Sequence, residues 1–132
     1  MESISFKEFQ KFLKENKFDL KATQNKLCFP IIERLYEKMV LGVEFDPIKV
    51  ADESIINGHH RYISSILAHF KLERVIWTAP KSVTHFSWEQ IEIDASDWES
   101  ETDIKAHNEK DAQRAGMNIE RFNILLKTKK DS

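Results

Sequence analysis

The 132-residue sequence contains only one cysteine, three glycines and three prolines. The lone Cys28 excludes an internal disulfide and a zinc site built from cysteines, and it is typical of a reducing compartment, so we expect a cytoplasmic protein. So little glycine and proline excludes linker composition, which predicts a single domain over residues 1–132. No hydrophobic run reaches the roughly 20 residues of a membrane span, and the N-terminal residues lack a signal-peptide pattern. A membrane partner is therefore not expected.

The sequence also lacks a large excess of charge of either sign. Lysine and arginine number 20 and aspartate and glutamate 22, which gives a formal net charge of −2. A protein that holds duplex nucleic acid through phosphate contacts over a whole face is normally basic, so stable duplex binding is not expected. A small local cluster of basic residues remains compatible with this balance.

The most informative stretch runs from Ser54 to Phe70. It begins with a β-type segment at 54–56 and continues through a tight turn at Asn57 and Gly58. Apolar residues then recur at i, i+3, i+4 and i+7, which predicts one helical stripe formed by Ile63, Ile66, Leu67 and Phe70. The pattern therefore predicts a strand, a glycine turn and a helix that begins at His59 or His60.

The first turn of this helix is unusual in its charge. A helix N-terminus carries unpaired N–H groups and a partial positive charge, and it normally attracts acidic side chains. Here it carries His59, His60 and Arg61 instead. Gly58 allows close approach of a ligand to the backbone, and a guanidinium binds phosphate oxygens well. We expect Arg61 and His60 to face a phosphate and His59 to point outward.

Residues 57–61, Asn-Gly-His-His-Arg, resemble the phosphate-binding motif of the ParB/sulfiredoxin superfamily, and the resemblance covers roughly Cys28 to Trp77. ParB proteins carry Gly-Glu-Arg-Arg and bind CTP. The free-serine kinases of the superfamily carry Asp-Gly-His-His-Arg, the form most similar to this one, with Asn57 in place of the aspartate. His59 fills the position of the catalytic cysteine of sulfiredoxin, so sulfinic-acid repair is not expected.

The resemblance implies an α/β (α+β) fold, with a small mixed sheet and flanking helices. Its core would span residues 28–94, with an N-terminal helical extension at 1–27 and a C-terminal helical extension at 95–132. It further implies a nucleotide (ATP, ADP or CTP) with Mg²⁺, its phosphates held by Asn57, Gly58, His59, His60 and Arg61. Phosphoryl transfer or NTP hydrolysis would follow, as in an NTPase or a kinase.

The catalytic assignment within this reading is His60, together with Glu33 as a base on the substrate hydroxyl. Glu33 is chosen by position only. The competing interpretation makes it one of four surface charges on the helix that Pro30 begins and Gly42 ends: Glu33, Arg34, Glu37 and Lys38.

A second polar face is predicted on a helix capped by Thr102 and ended by Gly116. Asp103, His107 and Asp111 recur there at i and i+4. This row either faces substrate or a divalent ion across a cleft from the phosphate motif, or forms a ladder of surface hydrogen bonds.

Two other functions are compatible with the same residues. One is a ParB-like nuclease, with His60 or His107 as the base. The other is a non-catalytic regulatory protein that binds a protein partner through its sheet and its N-terminal helix. That helix is predicted by the capping-box spacing Ser5-x-x-Glu8 and by the apolar stripe that follows it.

The segment Glu73–Thr78 is predicted to be a buried strand.

Overall fold

The computed structural model describes residues 4–131, so residues 1–3 and 132, which the two predicted extensions include, lie outside it. The described chain has mixed α/β content, which confirms the predicted fold class. Its five α-helices are α1 (Phe6–Glu15), α2 (Phe29–Val40), α3 (His59–Leu67), α4 (Glu101–Arg114) and α5 (Ile119–Asp131). Its five strands are β1 (Lys26–Cys28), β2 (Ile48–Ala51), β3 (Ser54–Asn57), β4 (Arg74–Ile76) and β5 (Glu92–Asp94). No helix among these residues is both long and apolar enough to cross a membrane.

The strands divide between two small sheets. In the larger sheet the order is β3-β2-β4, where β2 is antiparallel to β3 and parallel to β4. The second sheet is the parallel pair β1-β5, with Cys28 opposite Asp94. Helices α2, α3 and α4 begin just after β1, β3 and β5, so three helix N-termini follow the carboxyl ends of strands.

The main core fills the space between the larger sheet, α1, α2 and α3. Its fully buried side chains include Phe9, Ile32, Ile48 and Tyr62. Helix α1 has the predicted capping box, with Glu8 N–H donating to Ser5 Oγ and Ser5 N–H donating to Glu8 Oε1. Because Phe9 lies inside this core, the apolar face of the N-terminal helix is used within the domain itself.

A second, smaller core joins α4 and α5 to the segment that follows α2. It is built around Val43, Ala112 and Phe122, each about 1% exposed. Helix α4 begins two residues earlier than the Thr102 cap predicts. Ser100 is the N-cap instead, because its hydroxyl accepts from Asp103 N–H while the Asp103 carboxylate accepts from Ser100 N–H.

Strand β4 differs from its prediction. It pairs with β2, as a strand should, but all three of its residues are exposed rather than buried. The sheet order explains this, since β4 lies at the edge and the main core reaches only as far as β2. The hydrophobic sequence of Glu73–Thr78 predicted the strand but not its position in the sheet.

Candidate functional site

The turn between β3 and α3 requires a glycine. Gly58 is the N-cap of α3 with φ of +106°, in the left-handed region that side chains rarely adopt. A Cβ atom added there would overlap the side chain of Ile48 and lie 3.0 Å from Arg61 Nη2. The glycine therefore lets β2 and Arg61 pack directly against the start of α3.

His59 and His60 both point inward and accept hydrogen bonds from the backbone. His59 Nε2 accepts from Thr23 N–H at 2.9 Å, and His60 Nε2 accepts from Cys28 N–H at 2.9 Å. A backbone N–H can only donate, so Nε2 of each ring must be unprotonated. Burial is the main cause that lowers the pKa of both imidazoles to about 4, and for His59 the neighbouring His60 acts in the same direction. The expectation that His59 points outward is wrong, since its residue is only 5% exposed.

Arg61 is also bonded within the chain. Its Nη1 donates to the carbonyls of Asp46 (2.7 Å) and Pro47 (3.3 Å), and its Nη2 donates to Asn57 Oδ1 at 2.8 Å. Burial lowers the pKa of this guanidinium, against the opposing effect of the Asp46 carboxylate. The three oxygens that accept hydrogen bonds from Arg61 are neutral, so these bonds leave the formal charge of the guanidinium uncompensated.

The His-His-Arg sequence is thus an intramolecular clamp, by which we mean His59, His60 and Arg61 with their backbone partners. It fixes the start of α3 to the segment before β1, to the end of β1 and to the loop before β2. One ring nitrogen of His60, the predicted catalytic histidine, is already committed to the Cys28 amide through Nε2. Sequence reasoning identified the correct residues as unusual, but all three have a partner within the chain.

A cavity of about 290 Å³ lies beside Arg61, between α2, α3 and α4. Five cationic side chains line it, and three carboxylates and one imidazole accompany them. The cations are Arg34, Lys38, Arg61, Lys110 and Arg114. The remaining titratable groups are Asp46, Glu99, Asp111 and His107. With His107 neutral, the formal balance of the lining is 5 − 3 = +2.

A buried ion pair forms one wall of this cavity. Lys38 Nζ donates to Asp111 Oδ2 at 2.7 Å, and the two residues are 3% and 8% exposed. The pair connects α2 to α4. Lys38 is therefore not the surface charge that the sequence predicted, although it lies at i+7 from Ile31, on the stripe of α2 that also presents Arg34 and Leu35 to the cavity.

A second network orients His107. Its Nε2 lies 2.9 Å from Glu99 Oε2, and Glu99 Oε1 accepts from Arg34 Nη2 at 2.6 Å. Arg34 also donates to both carboxylate oxygens of Asp97. Burial alone would lower the pKa of Arg34, but the hydrogen bonds to Asp97 and Glu99 outweigh it and raise the pKa above the ordinary value. Glu99 is thus held by Arg34 and in turn holds the imidazole at the cavity wall.

The third group of charges surrounds Asp46. Arg114 Nη2 donates to its carboxylate at 3.0 Å, and this bond holds the pKa of Asp46 below its usual value. Because Arg61 donates to the carbonyl of the same residue, the two guanidiniums meet at one loop position. Asp46 is two-thirds exposed, so an incoming anion can reach both arginines from solvent.

The predicted second face is only partly present. His107 and Asp111 line the cavity, whereas the Asp103 carboxylate is used in the cap of α4. Glu33 lies on α2 outside the cavity lining. Within residues 4–131, no group of three or more His, Cys, Asp or Glu side chains is arranged to hold a metal ion.

Sequence reasoning did not select Arg34, Lys38, Glu99 or Arg114 as site residues. One signal was available, since Arg34 and Lys38 share a helical stripe with Ile31 and Leu35. Two cations on a half-apolar stripe indicate either buried pairing or a binding site. Nothing local to Glu99 or Arg114 distinguishes them from surface charges, because their partners lie 65 and 68 residues away in sequence.

In comparisons with known proteins, no family model, curated protein or solved structure matches this chain.

Proposed function

We propose that the protein binds a nucleotide, with the phosphates in the cavity between α2, α3 and α4. The observation that carries this proposal is the excess of five cationic side chains over three carboxylates on the lining of one concave site. Phosphate-binding sites use such clusters because the guanidinium fork and the lysine ammonium form charge-assisted hydrogen bonds with phosphate oxygens. Its volume, about 290 Å³, suits a phosphate chain and leaves the base near the opening.

Two cations are best placed to receive the phosphates. Among residues 4–128, whose side chains the structure describes, Lys110 has no carboxylate within ion-pair distance, and Arg61 is bonded only to neutral oxygens. Arg114 would exchange the exposed Asp46 carboxylate for a phosphate oxygen. Arg34 is paired with Asp97 and Lys38 with Asp111, so these two cations contribute positive electrostatic potential to the cavity rather than a free hydrogen-bond donor.

Mg²⁺ fits this arrangement only as a companion of the nucleotide. Mg²⁺ is commonly held by one or two carboxylates together with substrate phosphates, and the cavity offers Asp46, whose carboxylate is exposed. When bound, the ion would neutralise charge on the transferring phosphoryl group. The chain's own contribution is to position the phosphates.

For turnover, His107 replaces His60 as the proton acceptor. Its ring lines the cavity and is more than half exposed, so a water or hydroxyl nucleophile can approach it. Glu99 orients the ring through Nε2, in the manner in which a carboxylate orients a catalytic histidine. Hydrolysis or transfer of the terminal phosphoryl group is the reaction that this geometry supports.

Titration calorimetry with ATP, ADP, CTP and GTP, each with Mg²⁺, tests the proposal. We compare Lys110→Ala with Lys105→Ala, a matched control on the same exposed helix that lines a different pocket towards α5. We expect Lys110→Ala to weaken binding by roughly tenfold or more, since a hydrogen bond to a charged group contributes about 1.5–3 kcal/mol. Lys105→Ala should bind like the wild type. No heat with any nucleotide, or equal losses in the two variants, would reject the site.

One observation favours a second candidate, a regulatory domain that binds the ligand without turnover. His59 and His60 are both engaged with backbone amides, so the residues that the family resemblance would make functional are structural here. Phosphate release from bound nucleotide separates the two functions. Binding without release, unchanged in His107→Gln, would support the regulatory domain and remove His107 as a base.

A further inference from the structure

One edge of the larger sheet carries exposed hydrophobic side chains. Strand β4 pairs with β2, and its other edge faces no strand within residues 4–131. Val75, Ile76 and Trp77 are 39%, 94% and 51% exposed. Natural sheets usually protect such an edge with charges, proline or a covering element, because it can pair with another strand. None of these three residues is charged or proline, and Arg74, the one charged residue of β4, is paired with Asp19.

The hydrogen-bond pattern tells which backbone groups are available. Ile48 N–H donates to Glu73 O, and Trp77 N–H donates to Val50 O. In a parallel ladder, alternate residues direct their backbone groups to the same neighbour. Glu73, Val75 and Trp77 therefore face β2, and the N–H and C=O groups of Arg74 and Ile76 face away from the sheet.

We propose that β4 pairs with β4 of a second copy of this chain, antiparallel and about a two-fold axis at Val75. Arg74 of each copy then lies opposite Ile76 of the other, and the two residues exchange both backbone hydrogen bonds. Four such bonds close the edge. The two three-stranded sheets become one six-stranded sheet, and the side chains of the two Val75 residues meet at the axis.

Charge complementarity selects this register. Lys49 Nζ lies 4.1 Å from the centre of the Trp77 ring, on the face of the sheet that also carries Val75. With the axis at Val75, Glu73 of one copy lies opposite Trp77 of the other, and its carboxylate approaches that Lys49. Moving the axis to Ile76 places Glu73 opposite Ala79, and moving it to Arg74 places Glu73 opposite Val75. Neither alternative brings the carboxylate to a cation.

The interface is small. Two short strands bury less than the roughly 1,200–2,000 Å² of a stable complex, so we expect a dissociation constant on the order of 100 µM. Such a dimer forms at high local concentration. The proposal is independent of nucleotide binding.

Sedimentation equilibrium of the full chain, from about 10 µM to about 1 mM, tests the dimer. The variant Ile76→Lys adds a charge at the edge, and Ile124→Lys is its matched control, because Ile124 is also an exposed isoleucine (64%) but lies on α5. We expect concentration-dependent dimers for the wild type and for Ile124→Lys, and monomers for Ile76→Lys. A wild type that stays monomeric throughout, or a dimer that survives Ile76→Lys, would overturn the proposal.

A charge exchange tests the register. Lys49→Glu and Glu73→Lys should each weaken dimerisation by roughly tenfold, because each places like charges across the two strands. The double variant Lys49→Glu/Glu73→Lys restores opposite charges and should recover most of the affinity. Each variant's thermal unfolding is measured to show that the monomer is folded. Recovery in the double variant supports the Val75 axis, and continued weakness rejects it.

Discussion

The start of α3 and the wall of the cavity next to it are both rich in basic side chains, yet they use them differently. At the start of α3, His59, His60 and Arg61 bind backbone groups of their own chain. On the cavity wall, Lys38, Arg34 and Arg114 bind carboxylates, and Lys110 binds none within the described residues. A basic residue next to a glycine turn is therefore no more functional than one several turns along a helix. The two regions differ in the kind of partner: backbone groups at the start of α3, and carboxylates for three of the cations on the cavity wall.

The largest effect expected from this comparison is on the buried ion pair. Asp111→Ala leaves the Lys38 ammonium without a partner at a site 3% exposed. We expect the free energy of unfolding to fall by about 3–5 kcal/mol, measured by chemical denaturation. The double variant Lys38→Met/Asp111→Leu removes both charges and should recover most of the loss. If the single variant were as stable as the wild type, the pair would have to be solvated rather than buried.

Acid should weaken the clamp next. Both imidazoles have a pKa of about 4 in the folded state, against about 6.5 when unfolded, because burial disfavours their charged forms. The unfolded chain therefore binds more protons between these values, and stability is complete above pH 6.5 and falls as the pH decreases towards 4. Each histidine contributes a slope of up to about 1.4 kcal/mol per pH unit.

Denaturation measured at intervals from pH 7 to about pH 4 checks this slope. His60→Gln removes one titrating group, so the slope should fall by up to about 1.4 kcal/mol per pH unit. The side-chain carbonyl of glutamine can still accept a hydrogen bond. The control is His69→Asn, since His69 is exposed at a left-handed position that asparagine tolerates. If His60→Gln left the slope unchanged, the pKa of His60 would not differ between the folded and unfolded states, and its ring would not be held unprotonated at the Cys28 amide.

The smallest effect sharpens the comparison between Arg61 and Arg114, two helix residues that both contact Asp46. Arg61→Ala removes its hydrogen bonds to the carbonyls of Asp46 and Pro47 and to Asn57 Oδ1. Each contributes about 0.5–1.5 kcal/mol, so we expect a loss of about 1–3 kcal/mol of unfolding free energy. Arg114→Ala removes an ion pair with an exposed carboxylate, and a loss of at most about 1 kcal/mol is expected. Thermal and chemical unfolding of both variants measure the difference. Equal losses would remove the distinction between a structural and a surface arginine.

Local signals predicted much of the fold. The Ser5–Glu8 capping box, the strand and glycine turn before α3, and the Pro30 start and Gly42 end of the helix α2 region are each determined within a few residues, and each is present. The start of α5 is determined just as locally, since the Asn118 side chain accepts from Arg121 N–H. The relation to the ParB/sulfiredoxin superfamily stays a prediction.

The rest depends on contacts between distant segments. Whether Lys38 lies on the surface or inside is decided by Asp111, which is 73 residues away. Whether β4 is buried is decided by its place at the edge of the sheet, and no periodicity within Glu73–Thr78 encodes that place. The orientations of His59 and His60 follow from the amides of Thr23 and Cys28, which become available only when β1 is positioned.

The clamp also bears on the scarcity of cysteine in this chain. It closes loops between residues 23 and 59 and between residues 28 and 60, separations of 36 and 32 positions. Loops of this length are those across which a covalent cross-link restricts the unfolded chain appreciably. In this chain, hydrogen bonds from backbone amides to imidazole nitrogens connect the two ends of each loop. Reductants leave such a connection intact, whereas protons release it.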